Sequence, residues 1–155
     1  MALKIGDPAP TFKLYSSDNK EVALQDYKGQ PALVLFFPFA FTGVCTTELC
    51  GVRDNIASYN KMNTAVLGIS VDSPFTLAKF KEDQGLNFPL LSDFGKEACA
   101  SYGSMYGEFV MGLKGVAKRS AFVVDQNGVI QYAEVLEDAG QVPNFVAINE
   151  ILSSL

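Results

Sequence analysis

The chain has 155 residues, 48% of them hydrophobic and 19% charged, with a net charge of −5 and no histidine. This length and composition exclude a disordered chain and predict one domain with a substantial core over residues 1–155. The acidic balance and scattered lysines argue against nucleic acid and anionic membranes as partners, and no apolar run reaches the ~18 residues of a membrane-spanning helix.

The opening MALKIGDPAP lacks the apolar stretch of a secretion signal and points to a cytoplasmic protein. TFKLYS and EVALQDY are predicted to form a short N-terminal hairpin, turning at Ser17, Asp18 and Asn19. PALVLFF, residues 31–37, is the near-continuous apolar run of a strand buried on both faces. Residues 43–60 read as one helix, with Val52, Ile56 and Tyr59 at helical spacing. TAVLGISV, residues 64–71, is the next buried strand. A helix follows, with Ser73 as its N-cap, Pro74 in its first turn and Gly85 at its stop. DFGKEACASYG is a shorter helical piece, and residues 120–135 hold two strands around a Gln-Asn-Gly turn. PNFVAINEILSSL closes the chain as a helix with Phe145, Ile148 and Leu152 on one face. Helices alternating with strands predict an α/β layer protein. The order fits a thioredoxin-like fold, with a mixed central sheet, flanking helices and the short N-terminal hairpin.

In such a sheet, functional groups gather at the carboxyl ends of strands. Cys45 falls there, in the first turn of a predicted helix, where unpaired N–H groups and the positive end of the helix dipole favour a thiolate over a thiol. A packed structural cysteine is the competing reading. With no histidine in the chain, a Cys–His nucleophile is excluded, and three cysteines are one short of a closed four-cysteine zinc site. No metal or organic cofactor is called for. Activation must then come from the helix, hydrogen bonds or a cation. The only arginines are Arg53 and Arg119. Arg53, on the 43–60 helix, reads as a solvated charge. Arg119, just before the apolar run SAFVVD, is either a surface cap or a cation aimed into a site. Thr42, three residues before Cys45, is placed to cap the helix with its hydroxyl.

The stretch PFAFTGVC carries Pro38, Thr42 and Cys45 in the pattern Pro-x-x-x-Thr-x-x-Cys, and it resembles the motif of the peroxiredoxins. KRSAFVVDQNGVI, IGDPAPTFKL and FPLLSD are similar to other stretches of that family, so the resemblance covers nearly the whole chain. It implies a thioredoxin-like fold and thiol-dependent reduction of hydrogen peroxide and organic hydroperoxides. Cys45 would be the peroxidatic cysteine, Thr42 and Arg119 would bind and polarise the peroxide, and Pro38 would shield the site. Glu48 stands where relatives often carry a glutamate that orients the arginine. CTTELC resembles the cysteine spacing of the bacterioferritin-comigratory, or Q-type, members, which makes Cys50 the resolving candidate in an intramolecular disulfide, with thioredoxin or a similar thiol as reductant. Cys99 matches no resolving position and reads as a packed helix residue. The resemblance allows a monomer or a homodimer. Two other readings are a disulfide-exchange or redox-sensing module without peroxidase activity, and a metal-binding domain using the three cysteines.

Overall fold

A computed structural model describes residues 2–155. The N-terminal hairpin pairs β1 (Lys13–Ser16) with β2 (Glu21–Ala23), and Asn19 takes the left-handed conformation at its turn (φ 60°). β2 is shorter than EVALQDY suggests. Asp26 accepts a hydrogen bond from the Ala23 N–H at 3.0 Å, and Leu24–Tyr27 coil into a 3₁₀ turn.

β3 (Ala32–Phe36) is followed by α1 (Gly43–Asp54) and α2 (Ile56–Lys61). The single helix expected over 43–60 is therefore two. Asn55 breaks it: the side-chain amide donates to the Gly51 carbonyl at 2.8 Å, and the backbone leaves helical geometry (φ −109°, ψ 13°). An asparagine that bonds locally in this way competes with helix continuation. Val52, Ile56 and Tyr59 still pack into one apolar cluster across the break.

β4 (Ala65–Ser70) leads into α3 (Pro74–Gln84), whose ends match the sequence closely. Ser73 Oγ accepts from the Thr76 N–H at 3.1 Å, Pro74 opens the helix, and Gly85 closes it in the left-handed conformation (φ 61°), which glycine adopts without a Cβ penalty. β5 (Leu90–Ser92) is a strand of three residues, too few to show a period in the sequence. α4 (Glu97–Ser101), β6 (Ser120–Val124), β7 (Ile130–Val135) and α5 (Phe145–Ser153) complete the chain.

The strands make one mixed sheet in the order β2-β1-β5-β4-β3-β6-β7. β3 lies inside it, next to the central β4, parallel to β4 and antiparallel to β6. Its alternation sets two cores. Leu33, Leu35 and Phe37 meet Leu49 of α1, Phe80 of α3 and Ile148 of α5, while Val34 and Phe36 meet Phe122, Tyr102 and the α4 residue Cys99 on the opposite face. Among the described residues no helix is long and apolar enough to cross a membrane.

Candidate active site

The site is built where β3 ends. The Phe37 N–H still bonds to the Ile69 carbonyl at 3.0 Å. Pro38, buried and without an N–H, cannot extend the ladder, and the chain turns away. Asp72, two residues beyond β4, fastens the turn: one carboxylate oxygen accepts from the Ala40 N–H at 2.8 Å and from Ser70 Oγ at 2.7 Å. Burial raises the Asp72 pKa against the lowering effect of these bonds. Phe41 is held in the left-handed conformation (φ 65°), a costly state for a side chain with a Cβ and one that concentrates at functional sites. Thr42 then resumes extended geometry and α1 begins.

Thr42 occupies the N-cap position, but its hydroxyl makes no capping bond. It donates instead to the Phe39 carbonyl at 2.7 Å. The expectation of a hydroxyl cap is corrected accordingly. The first helical bond runs from Thr46 N–H to the Thr42 carbonyl, so the N–H groups of Gly43, Val44 and Cys45 have no partner within the helix.

Cys45 lies in this first turn, 1% exposed, among Leu35, Phe37 and Leu49. The antiparallel register pairs Phe36 of β3 with Ser120 of β6. Arg119, one residue earlier, therefore enters the sheet beside the same strand end. Arg119 is also 1% exposed. Its Nη2 donates to Cys45 Sγ at 3.1 Å, and its Nη1 donates to Glu48 Oε1 at 2.7 Å. Nε and Nη2 both reach the Ala139 carbonyl, at 3.2 and 3.0 Å. Burial weighs against a charged guanidinium, but the charges and hydrogen bonds of Cys45 and Glu48 outweigh it and hold the Arg119 pKa above its ordinary value. Glu48, one turn beyond Cys45, is pushed up by burial to about 7, although Arg119 pulls the other way.

Cys45, Glu48 and Arg119 thus form one hydrogen-bonded cluster, with Thr42 and Pro38 in the loop that leads into it. Cys50 stands apart, half-buried on α1, with its Sγ 3.5 Å from Gln84 Oε1. Arg53 is less free than its sequence position suggests, because Nε bonds to Asp54 at 2.9 Å and Nη1 bonds to the Gln84 carbonyl. Cys99 lies across the sheet, wholly buried, and burial followed by the bond and charge of Asp93 push its thiol up to about 12. The three free thiols do not converge on one point. Two contributors escaped the sequence. Ala139 acts through its main-chain carbonyl, which no side-chain pattern can announce. Asp72 follows a buried strand, where the strand-end rule directs attention.

Over most of its length the chain is similar to known proteins. The AhpC/TSA family profile matches residues 5–133. The chain is similar to peroxiredoxin Bcp of Escherichia coli K12, 42% identical over 132 residues and 84% of each chain. It is also similar to alkyl hydroperoxide reductase E of Mycobacterium tuberculosis, 39% identical over 141 residues and 90% of each. In three dimensions it resembles the crystal structure of peroxidoxin BcpB from Mycobacterium tuberculosis, with a TM-score of 0.87, 26% identity, and coverage of 99% of this chain and 98% of that one. A peroxiredoxin-like protein from Aquifex aeolicus superposes with a TM-score of 0.90 at 26% identity, over 99% of this chain and 88% of the other. With its thioredoxin-like fold and a profile match over most of its length, the chain belongs to the AhpC/TSA family and is a peroxiredoxin, a thiol peroxidase.

Proposed function

We propose that Cys45 is the peroxidatic nucleophile, acting on hydrogen peroxide and organic hydroperoxides. One observation carries this reading: a buried guanidinium, fixed by Glu48 and the Ala139 carbonyl, donates straight to Cys45 Sγ. The sulfur gives an electron pair to the terminal peroxide oxygen. The O–O bond breaks, and its electrons leave on the other oxygen, which collects a proton as alcohol or water. Sulfur is oxidised to sulfenic acid while the peroxide is reduced. Arg119 and the unpaired N–H groups of the α1 start stand where the leaving oxygen gains charge, so they stabilise the transition state more than the bound peroxide. Thr42 has committed its proton to the Phe39 carbonyl, so its oxygen is left to accept the peroxide O–H. Pro38 shields the sulfur from water.

Cys50 is the proposed resolving thiol and a thioredoxin-type dithiol the proposed reductant, in a cytoplasmic setting where free thiols persist. α1 is continuous from Gly43 to Asp54. Two residues five apart on such a helix have Cα atoms roughly 8–9 Å apart, beyond the ~7 Å limit of a disulfide. Resolution therefore requires the first turns of α1 to unwind. Mass spectrometry after one equivalent of peroxide tests the scheme. A Cys45–Cys50 disulfide is expected. A Cys50 that stays a free thiol through steady-state turnover removes it from the cycle and leaves a one-cysteine mechanism.

A further inference from the structure

The two oxygens of Glu48 are treated differently. Oε1 receives Arg119, whereas Oε2 is buried and has no hydrogen-bond partner. The residue is 4% exposed. An ionised carboxylate would leave negative charge on an oxygen that neither a donor nor bulk water reaches, one of the costliest arrangements in a protein interior. A protonated carboxyl places a neutral hydroxyl there instead.

The charge count points the same way. One guanidinium serves two groups able to become anions, Cys45 and Glu48. With both ionised, the buried cluster carries a net charge of −1. With one proton kept between them, it is neutral. Glu48 also lines a cavity of about 270 Å³ whose walls include Thr47, Val52, Asn55, Tyr59, Phe145 and Asn149. Among the described residues that line the cavity beside Glu48, none is a second cation. Facing Glu48 from its own helix is Cys45, from the segment before β6 Arg119, and from α2 Tyr59. Burial pushes the Tyr59 phenol up to about 12, so it stays neutral. The α5 residues in the cavity wall, Phe145 and Asn149, do not titrate.

We propose that Glu48 keeps the proton that Cys45 gives up and yields it in the peroxide step, while its bond to Arg119 sets how much of the guanidinium charge reaches the sulfur. The inference rests on Cys45 being the nucleophile. In the resting site the thiol proton passes to the carboxylate, giving thiolate and carboxylic acid with no change in net charge. In the peroxide step, thiolate, carboxylic acid and hydroperoxide become sulfenic acid, carboxylate and alcohol. Two protons and one negative charge stand on each side, so the pocket draws no proton from solvent. As pH rises, Glu48 loses its proton first to bulk water. The carboxylate then has no proton to yield in the peroxide step, its extra negative charge competes with the reacting oxygens for Arg119, and peroxide reduction slows.

The test is the second-order rate of Cys45 oxidation between about pH 6 and pH 9, measured on the full chain by competition with a second peroxidase. The parent rate is expected to fall about tenfold on the alkaline side, the change that one pK unit of coupling produces. Glu48→Gln keeps an acceptor for Arg119 but can neither hold nor yield the proton, so its rate should lie below the parent near neutrality and show no falling limb. Superimposable pH profiles, or a Glu48→Gln profile merely displaced downward, overturn the proposal and assign Glu48 a purely structural role. A Cys45→Ser variant that still turns over peroxide would instead overturn the underlying reading. Infrared spectroscopy gives a result that does not need the Glu48 variant to fold. A protonated-carboxyl band must be present at neutral pH in the parent and persist in Asp72→Asn, which removes another acid that burial raises. Its absence from the parent, or its loss in Asp72→Asn, would also overturn the proposal.

Discussion

Arg119 spends its donors on three partners of different kinds, a sulfur, a carboxylate and a main-chain carbonyl, and this fixes both its charge and its plane. Arg119→Ala is expected to lower the rate of Cys45 oxidation by peroxide ~10²-fold, as the loss of one preorganised donor does in other oxyanion sites. Arg119→Lys should recover only part, because an ammonium cannot hold all three partners in one plane. A rate for Arg119→Ala equal to the parent would move the activating role elsewhere. Cys45→Ser should abolish turnover, since an alcohol supplies no anion at neutral pH, while Cys99→Ser should leave it nearly intact. Cys99 is screened by the whole sheet, and burial and Asp93 both hold its proton on. Titration with a thiol reagent in the native state checks this directly: Cys99 should stay unmodified until the protein unfolds. At this scale the sequence was most legible where residue type restricts chemistry. The absence of histidine and the shortage of arginine directed attention to Arg119. What stayed hidden was the Ala139 carbonyl and the real use of the Thr42 hydroxyl, because both depend on how the loop folds rather than on which residues it contains.

α1 carries the proposed nucleophile and yet is weakly built. Thr46 and Thr47 turn their hydroxyls back onto the carbonyls of Thr42 and Gly43, at 2.7 and 3.1 Å, bonds that slightly destabilise a helix. Gly51 costs about 1 kcal/mol relative to alanine, and Asn55 ends the helix early. Against this, the end of α3 holds α1 down. Gln84 receives Cys50 through its side chain and Arg53 through its carbonyl, and Asn87 Nδ2 donates to the Arg53 carbonyl at 3.3 Å. Arg53→Ala should therefore ease opening by about 1 kcal/mol, the net worth of a partly exposed hydrogen bond, or roughly fivefold in the open population. Amide exchange across residues 43–54 and the rate at which the Cys45–Cys50 disulfide follows sulfenic acid should both rise. Unchanged exchange in Arg53→Ala would show that α1 opens without consulting α3. The contrast between helices explains what the sequence disclosed. α3 announces both ends through Ser73, Pro74 and Gly85, each a local signal. The break in α1 hangs on one asparagine whose side chain chooses the Gly51 carbonyl, a choice invisible to apolar periodicity because Val52, Ile56 and Tyr59 keep their phase across it.

Two apolar layers share one sheet, so the whole chain is proposed to unfold as a single cooperative unit, with coincident transitions in helical signal and tyrosine environment. On that footing, the redox state of Cys45 becomes a property of the entire molecule. In the proposed resolution step, closing the Cys45–Cys50 bond would unwind the start of α1 and lift Leu49, which is fully buried, out of the layer it shares with Leu35 and Phe37. Losing such a leucine from a core costs about 2–5 kcal/mol. The bond from Arg119 to the Cys45 sulfur would be lost as well, which costs about 1.5–3 kcal/mol for a charged partner. The new disulfide closes a very short loop, and the chain-entropy relation credits it with only about 2 kcal/mol. The disulfide form should thus be less stable than the reduced form by about 2 kcal/mol or more, which for a chain of this size lowers the midpoint by roughly 4–8 °C. Calorimetry of the two forms at one pH checks the sign. The Cys50→Ser variant, which cannot close the ring, should keep the midpoint of the reduced protein after one equivalent of peroxide. A disulfide form that melts at or above the reduced protein would mean that α1 stays packed and that the second sulfur reaches Cys45 by another route.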